Sequence, residues 1–167
     1  KICDVAPDRE LFSLQGHQGA IEGLAYSPDG TNLATSSWDG TARIWDAFSG
    51  EELLTLSGHT DQVLGIDFDP DGDRLATSSF DGTARVWDAA SGETVHILPG
   101  EDEIYRAAFH PDGTRLATGE GYGTIRVWDT ASGGELYTLE GPDTPVVAFS
   151  PDGTRLASVG MFEAEIR

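Results

Sequence analysis

Two sets of residues carry the ingredients of hydrolytic chemistry. His17, Ser37 and Asp39 supply an imidazole, a hydroxyl and a carboxylate, and His59, Ser79 and Asp81 repeat the set 42 residues later. A hydroxyl nucleophile, a base and an orienting acid are the parts of a Ser-His-Asp triad. The duplication argues against that use. One site needs one nucleophile, whereas the same types at the same spacing twice over point to a building unit. Other chemistry is weaker still. The histidines His17, His59, His96 and His110 show no metal-ligand spacing, so no metal is expected. The run Glu101-Asp102-Glu103 lacks the alternating oxygen ligands of a calcium loop. Gly119-Glu120-Gly121-Tyr122-Gly123 looks like a phosphate loop, but it joins two predicted strands and opens no helix. No cofactor is expected.

The elements around these residues repeat as well. Pro28-Asp29-Gly30 returns as Pro70-Asp71-Gly72, Pro111-Asp112-Gly113 and Pro151-Asp152-Gly153, in steps of 42, 41 and 40 residues. Trp45-Asp46, Trp87-Asp88 and Trp128-Asp129 keep the same beat. Such a period means stacked units, none of which buries its apolar face alone. Within one unit, Ala20 to Ser27 reads as a strand, and Ser27-Pro28-Asp29-Gly30 as a turn in which Pro presets φ and Gly supplies the permissive end. Asn32 to Ser37 is the next strand. Asp39-Gly40 marks a hairpin, Thr41 to Trp45 alternates with period 2, and Glu52 to Leu56 is the fourth strand. No segment shows a convincing helical period.

Composition agrees with a turn-rich β protein: 167 residues, 38% hydrophobic, with 21 Gly and 8 Pro. The net charge of −19 repels phosphate backbones, so no nucleic-acid partner is expected. No stretch approaches the ~18 apolar residues of a membrane span. Cys3 is the only cysteine, which rules out an internal disulfide. Nine of the ten basic residues are Arg, a bias suited to a bacterial, cytoplasmic setting. Lys1 opens the chain without Met, as after processing or at a boundary.

The string Gly16-His17, Ser27-Pro28-Asp29-Gly30, Leu33 through Thr41 and Ile44-Trp45-Asp46 resembles the WD-repeat (WD40) β-propeller family. The resemblance covers the whole chain. It implies an all-β fold in which blades of four antiparallel strands ring a central channel, with about four blades in this chain. It also implies a structural network within each blade: His17, Ser37, Asp39 and Trp45 in the first, His59, Ser79, Asp81 and Trp87 in the second. Such groups can satisfy one another when buried. The third repeat departs from this pattern. Glu101 stands where the His would be, Glu120 replaces the Ser, Tyr122 replaces the Asp, and only Trp128 remains. The fourth has Gly141-Pro142 and again lacks the His. These blades are expected to lose the network and some rigidity.

Lys1-Ile2-Cys3-Asp4 aligns with Arg43-Ile44-Trp45-Asp46, so the chain reads as starting in a third strand and ending, at Glu165-Ile166-Arg167, where another begins. The repeats run approximately 1–42, 43–84, 85–125 and 126–167, each in the order third, fourth, first, second strand. Three assemblies stay open. One chain closes a strongly curved four-bladed ring, two copies exchange ends in an eight-bladed ring with two-fold symmetry, or the segment is part of a larger ring. A homodimer, or additional blades from elsewhere, is expected.

The family resemblance implies a non-enzymatic interaction platform. Partners dock on the face made by the loops leading into each first strand and by the hairpins before each third strand. Carried onto this chain, the contact positions are Ala20, Glu22, Gln62, Leu64, Glu103 and Tyr105, with Trp38, Phe80 and Gly121 at the hairpins. Trp38 and Phe80 also stand out on chemistry alone, because each puts an aromatic ring immediately before Asp-Gly at a tip. The alternative is that each ring lies flat on the neighbouring blade. With Glu22 and Glu103 close by, the face suits a protein or peptide bearing Arg or Lys. A regulatory or sensory module of a larger bacterial signalling protein, and a purely self-assembling unit, are the other functions open to such a chain.

Overall fold

The computed structural model describes residues 1–4, 9–143, 146–160 and 164–166. Turns fix where its strands begin and end. In Ser27-Pro28-Asp29-Gly30 the Asp29 carboxylate accepts the Ser27 hydroxyl at 2.7 Å and the Thr31 N–H at 3.0 Å. Gly30 takes a positive φ of 73°, which would strain a side chain. The Asp of each Trp-Asp pair does similar work one turn later. Asp46 accepts the Phe48 and Ser49 N–H groups at 2.9 and 2.7 Å, and Asp88 does the same for Ala90 and Ser91.

Between these turns the strands follow one another in simple order. β1 (Ile2–Asp4) and β2 (Arg9–Phe12) pair with each other. β3 (Ile21–Tyr26), β4 (Asn32–Ser37), β5 (Thr41–Asp46) and β6 (Glu52–Ser57) make the first complete blade. β7 (Val63–Phe68), β8 (Arg74–Ser79), β9 (Thr83–Asp88) and β10 (Thr94–Pro99) make the second. The third comprises β11 (Ile104–Phe109), β12 (Arg115–Glu120), β13 (Thr124–Asp129) and β14 (Glu135–Glu140). β15 (Val146–Phe149), β16 (Leu156–Val159) and β17 (Ala164–Ile166) form a three-stranded sheet, and Arg167 lies outside the described residues. All pairs are antiparallel between sequence neighbours. Among the described residues, the only helical turn is a short 3-10 segment at Gly121–Gly123.

The core lies between blades. Ala34, Ala42, Ile44 and Leu56 of the first blade meet Ile66, Phe68, Leu75 and Trp87 of the second. Ala76, Ala84, Val86 and Leu98 of the second meet Ile104, Ala107, Phe109, Leu116 and Trp128 of the third. Small residues on one face thus receive large ones from the next, the nearest-neighbour packing of a repeat protein. Polar clips cross the same seams. The Ser36 hydroxyl donates to the Leu64 carbonyl at 3.2 Å, and Asp67 accepts the Phe109 N–H at 2.8 Å. Arg74 donates to the Gly113 and Thr130 carbonyls at 3.0 and 3.3 Å. His110 meets the Gly153 carbonyl at 2.9 Å, with its ring edge-on to Phe149.

The outer face of the first blade differs. Leu24 is 66% exposed, whereas its counterparts Ile66 and Ala107 are 2% and 1% exposed, and Ile21 and Tyr26 are exposed too. β2 reaches the turn between β5 and β6 of this blade, since a Cβ on Gly50 would meet the Phe12 ring at 2.6 Å. β1–β2 and β15–β17 stay separate sheets, so the described strands do not close a ring.

Candidate partner-docking face

A relay of side chains holds the loops of this face. In the first blade the Trp45 indole N–H donates to Thr35 Oγ1 at 2.9 Å, and Thr35 Oγ1 lies 2.8 Å from His17 Nε2. His17 Nδ1 is 2.9 Å from Asp39 Oδ2. With the indole filling one lone pair of Thr35, the hydroxyl proton goes to Nε2 and the Nδ1 proton to Asp39, so a neutral imidazole satisfies every member. The second blade repeats this through Trp87, Thr77, His59 and Asp81, at 2.8 Å for each contact. The hydroxyl expected from Ser37 and Ser79 is therefore corrected to Thr35 and Thr77. The reason is register: Trp45 lies opposite Leu33, so an indole reaching along β4 meets Thr35 before Ser37. Ser37 and Ser79 instead accept the Asp39 and Asp81 N–H groups within the turn, at 3.2 and 3.0 Å.

The relay also ties loop to hairpin. Asp39 accepts the Gln18 N–H at 2.8 Å, and Asp81 accepts the Thr60 N–H at 3.0 Å. Burial opposes ionisation of both acids, yet hydrogen bonds from Thr41, Gln18 and His17 hold the Asp39 carboxyl well below the usual range. Asp81 is pulled down to about 2, against its burial, by Thr83, Thr60 and His59. Burial pushes the His59 imidazole below its ordinary value, keeping it neutral.

The third blade keeps the Trp128–Thr118 bond at 2.9 Å and replaces the rest. Glu120 is fully buried and pairs with Arg126 Nε at 2.9 Å, while its other oxygen accepts the Glu101 N–H at 3.1 Å. Arg126 also holds Glu101 at 2.9 Å and Glu135 at 2.6 Å. The His–Asp part of the network is lost as expected, and an ion cluster takes its place. The tip above it turns through Tyr122 at φ 54°, leaving that ring 89% exposed.

Backbone bonds fix the tips against the first strands. Trp38, Phe80 and Gly121 donate their N–H groups to the Ala20, Gln62 and Glu103 carbonyls at 2.9, 3.0 and 3.0 Å. The first strand of each complete blade carries a bulge at the same place, between Ile21 and Gly23, Val63 and Gly65, and Ile104 and Arg106. The residues left unpaired by the bulge are Glu22, Leu64 and Tyr105. A bulge re-aims a side chain, and here it turns three of the expected contact residues towards one place. These three, with Trp38, Gln62 and Phe80, line one cavity of about 390 Å³. Trp38 is 50% exposed and donates its indole N–H to Glu22 Oε2 at 3.0 Å. Phe80 packs edge-on against Tyr105 of the next blade, centroids 5.4 Å apart.

Glu103 is not part of this cavity. It lines a neighbouring cleft with Phe80, Glu101 and Asp102, where a hydrogen bond donated by its protonated carboxyl to Asp102 raises it above the ordinary range. Ala20 and Gly121 serve through their backbone. Sequence reasoning missed two lining residues, Arg106 and Val146. Arg106 stands where the first two blades have Gly23 and Gly65, and that break in the repeat was the available signal.

Chemically, this face holds no activated nucleophile among the described residues. The hydroxyls of Thr35 and Thr77 are buried and engaged, and Ser37 and Ser79 do not contact the imidazoles. The cavity walls are mostly apolar, with Glu22 on one side and Arg106 on another.

The family description "WD domain, G-beta repeat" matches residues 8–46, 50–88 and 92–129. Periodic tryptophan protein 2 homolog of Neurospora crassa is 44% identical over 48 residues, 29% of this chain and 5% of that protein. The guanine nucleotide-binding protein subunit beta of Schizosaccharomyces pombe is 40% identical over 47 residues, 28% of this chain and 15% of that protein. Coronin-7 of Rattus norvegicus is 48% identical over 46 residues, 28% of this chain and 5% of that protein. The matched segments therefore span only 5 to 15% of these relatives.

Proposed function

The chain belongs to the WD-repeat family, and from that membership we propose a non-enzymatic protein-interaction scaffold that docks a peptide segment on the face of Trp38 and Phe80. One observation carries this reading: Trp38, Glu22, Gln62, Leu64, Phe80 and Tyr105, drawn from three blades, converge on one apolar cavity. A volume of about 390 Å³ falls within the ~300–1,000 Å³ of ligand pockets. Rigid blades hold the walls in place, so a partner finds a preformed site and only its own segment loses freedom on binding. Glu22 and the carboxylates beside Glu103 favour a segment with basic flanks, stacked on the aromatic rings. The uncovered face of β3 calls for one more blade against it, from a second copy or from other blades of the same ring.

Photo-crosslinking from position 62, with a benzophenone amino acid in place of Gln62, tests the docking face. Trp38→Ala combined with Phe80→Ala should reduce crosslinking to the partner by at least ~10-fold, with an unchanged melting curve. Undiminished crosslinking rejects this face. A collapsed melting curve would assign the rings to packing instead.

A further inference from the structure

We infer that Arg106 is the anchor of the docked segment and receives its chain-terminal carboxylate while the last side chain of that segment fills the apolar cavity. This deepens the docking proposal above and rests on it.

Arg106 is placed there by a swap of small and large residues. In the first two blades a buried glycine of the first strand faces a serine of the second, Gly23 opposite Ser36 and Gly65 opposite Ser78. A Cβ on Gly23 would come within 2.7 Å of the Ser36 hydroxyl, and one on Gly65 would also be driven into its serine. Neither strand could hold a longer side chain there. In the third blade the order reverses: Arg106 faces Gly119. The glycine has moved to the second strand, and the first strand carries an arginine into the cavity wall.

Several other arginines are already engaged. Arg43 pairs with Glu52, Arg74 with Asp69 and Arg126 with three carboxylates. Among the described residues Arg106 makes no direct ion pair, although its charge acts on the nearby Asp67 carboxyl, and it is the only cation lining this cavity. A half-buried guanidinium beside Leu64, Phe80, Tyr105 and Val146 is poorly hydrated, the setting in which a charge-assisted, forked bond to a carboxylate is strongest. A terminal carboxylate suits the site better than an Asp or Glu side chain. It sits directly beside its own side chain, so one residue places an apolar group against Leu64 and Phe80 and a charge at Arg106. An acidic side chain would leave the apolar walls unfilled. Glu22, held by the Trp38 indole on the first-blade wall, is left for a basic residue further up the segment.

Three small probes separate the possibilities: N-acetyl-leucine, its C-terminal amide, and N-acetyl-glutamic acid α-amide. Binding is read from amide and indole signals in ¹H–¹⁵N spectra, using the Trp38 indole and the Arg106 Nε–H. N-acetyl-leucine should bind at least ~5-fold tighter than its amide. Arg106→Gln should erase that preference and Arg106→Lys should keep part of it, with both variants checked for an unchanged fold by their remaining signals. Equal binding of acid and amide, or a preference that survives in Arg106→Gln, overturns the assignment. Tighter binding of the glutamate probe overturns the terminal carboxylate as its source. If acid and amide bind equally and both are lost in the Trp38→Ala, Phe80→Ala variant, the cavity reading stands and only the carboxylate fails. If no probe shifts the cavity signals at millimolar concentration, both fail.

Discussion

Thr35 and Thr77 each hold two groups that have no other partner. Thr35→Val keeps the shape but leaves the Trp45 indole N–H and the His17 Nε2 unsatisfied in a buried site. The expected cost is about 2–4 kcal/mol, whereas Ser37→Ala loses one bond in a turn and should cost less than about 1 kcal/mol. Urea denaturation compares them directly, and equal costs would return Ser37 to the centre of the relay. The motif made His17, Asp39 and Trp45 legible in the sequence, because each type occurs once at its place. The hydroxyl was not legible. Thr35-Ser36-Ser37 offers three in a row, and only the pairing of β4 with β5 selects among them. Arg106 was hidden for a related reason: its significance lies in Gly119 across the ladder, which a linear reading does not pair with it.

Strand positions were readable because turn chemistry brackets each strand, and Asn32–Ser37 appears with the expected bounds. The bulges were not readable, since no residue type marks them. The seams were hidden too, because one repeat does not reveal what its face meets. Asp67 is the clearest seam residue. It clips β7 to β11 through the Phe109 N–H, and burial drives its carboxyl up to about 6 despite that bond and the nearby Arg106. An acid with a folded value above its unfolded 3.8 binds more protons in the folded state between those limits. Stability therefore falls as pH rises from about 4 to 6 and stays lower above that range. Asp67→Asn keeps an acceptor for Phe109 and removes the charge. It should raise stability by about 1–3 kcal/mol at pH 7.5 and by little at pH 3.5. Urea midpoints at the two pH values check this, and a variant no more stable at pH 7.5 would show that the ionised carboxylate is well accommodated.

At the scale of the molecule, stability is a sum over seams, and the first blade has only part of one on its outer side. Exposed Ile21, Leu24 and Tyr26 favour association even in a chain of net charge −19. Light scattering behind size exclusion should therefore show a mass above 17.8 kDa that rises with concentration. A monomer across the whole range would mean that water covers this face at tolerable cost.

The reversed glycine in the third blade also bears on how such chains can be recombined. Blades look like interchangeable cassettes, yet in the three complete ones the first two strands are keyed to each other, glycine to serine or arginine to glycine. A graft of β11 alone beside β8 would bring the Arg106 position against Ser78. Moved together with β12, it would keep its own complement. The smallest portable piece of this architecture is thus the hairpin. Placing an arginine at the Gly23 or Gly65 position of the other blades would need two coordinated substitutions on facing strands, which makes such a site hard to gain by single steps.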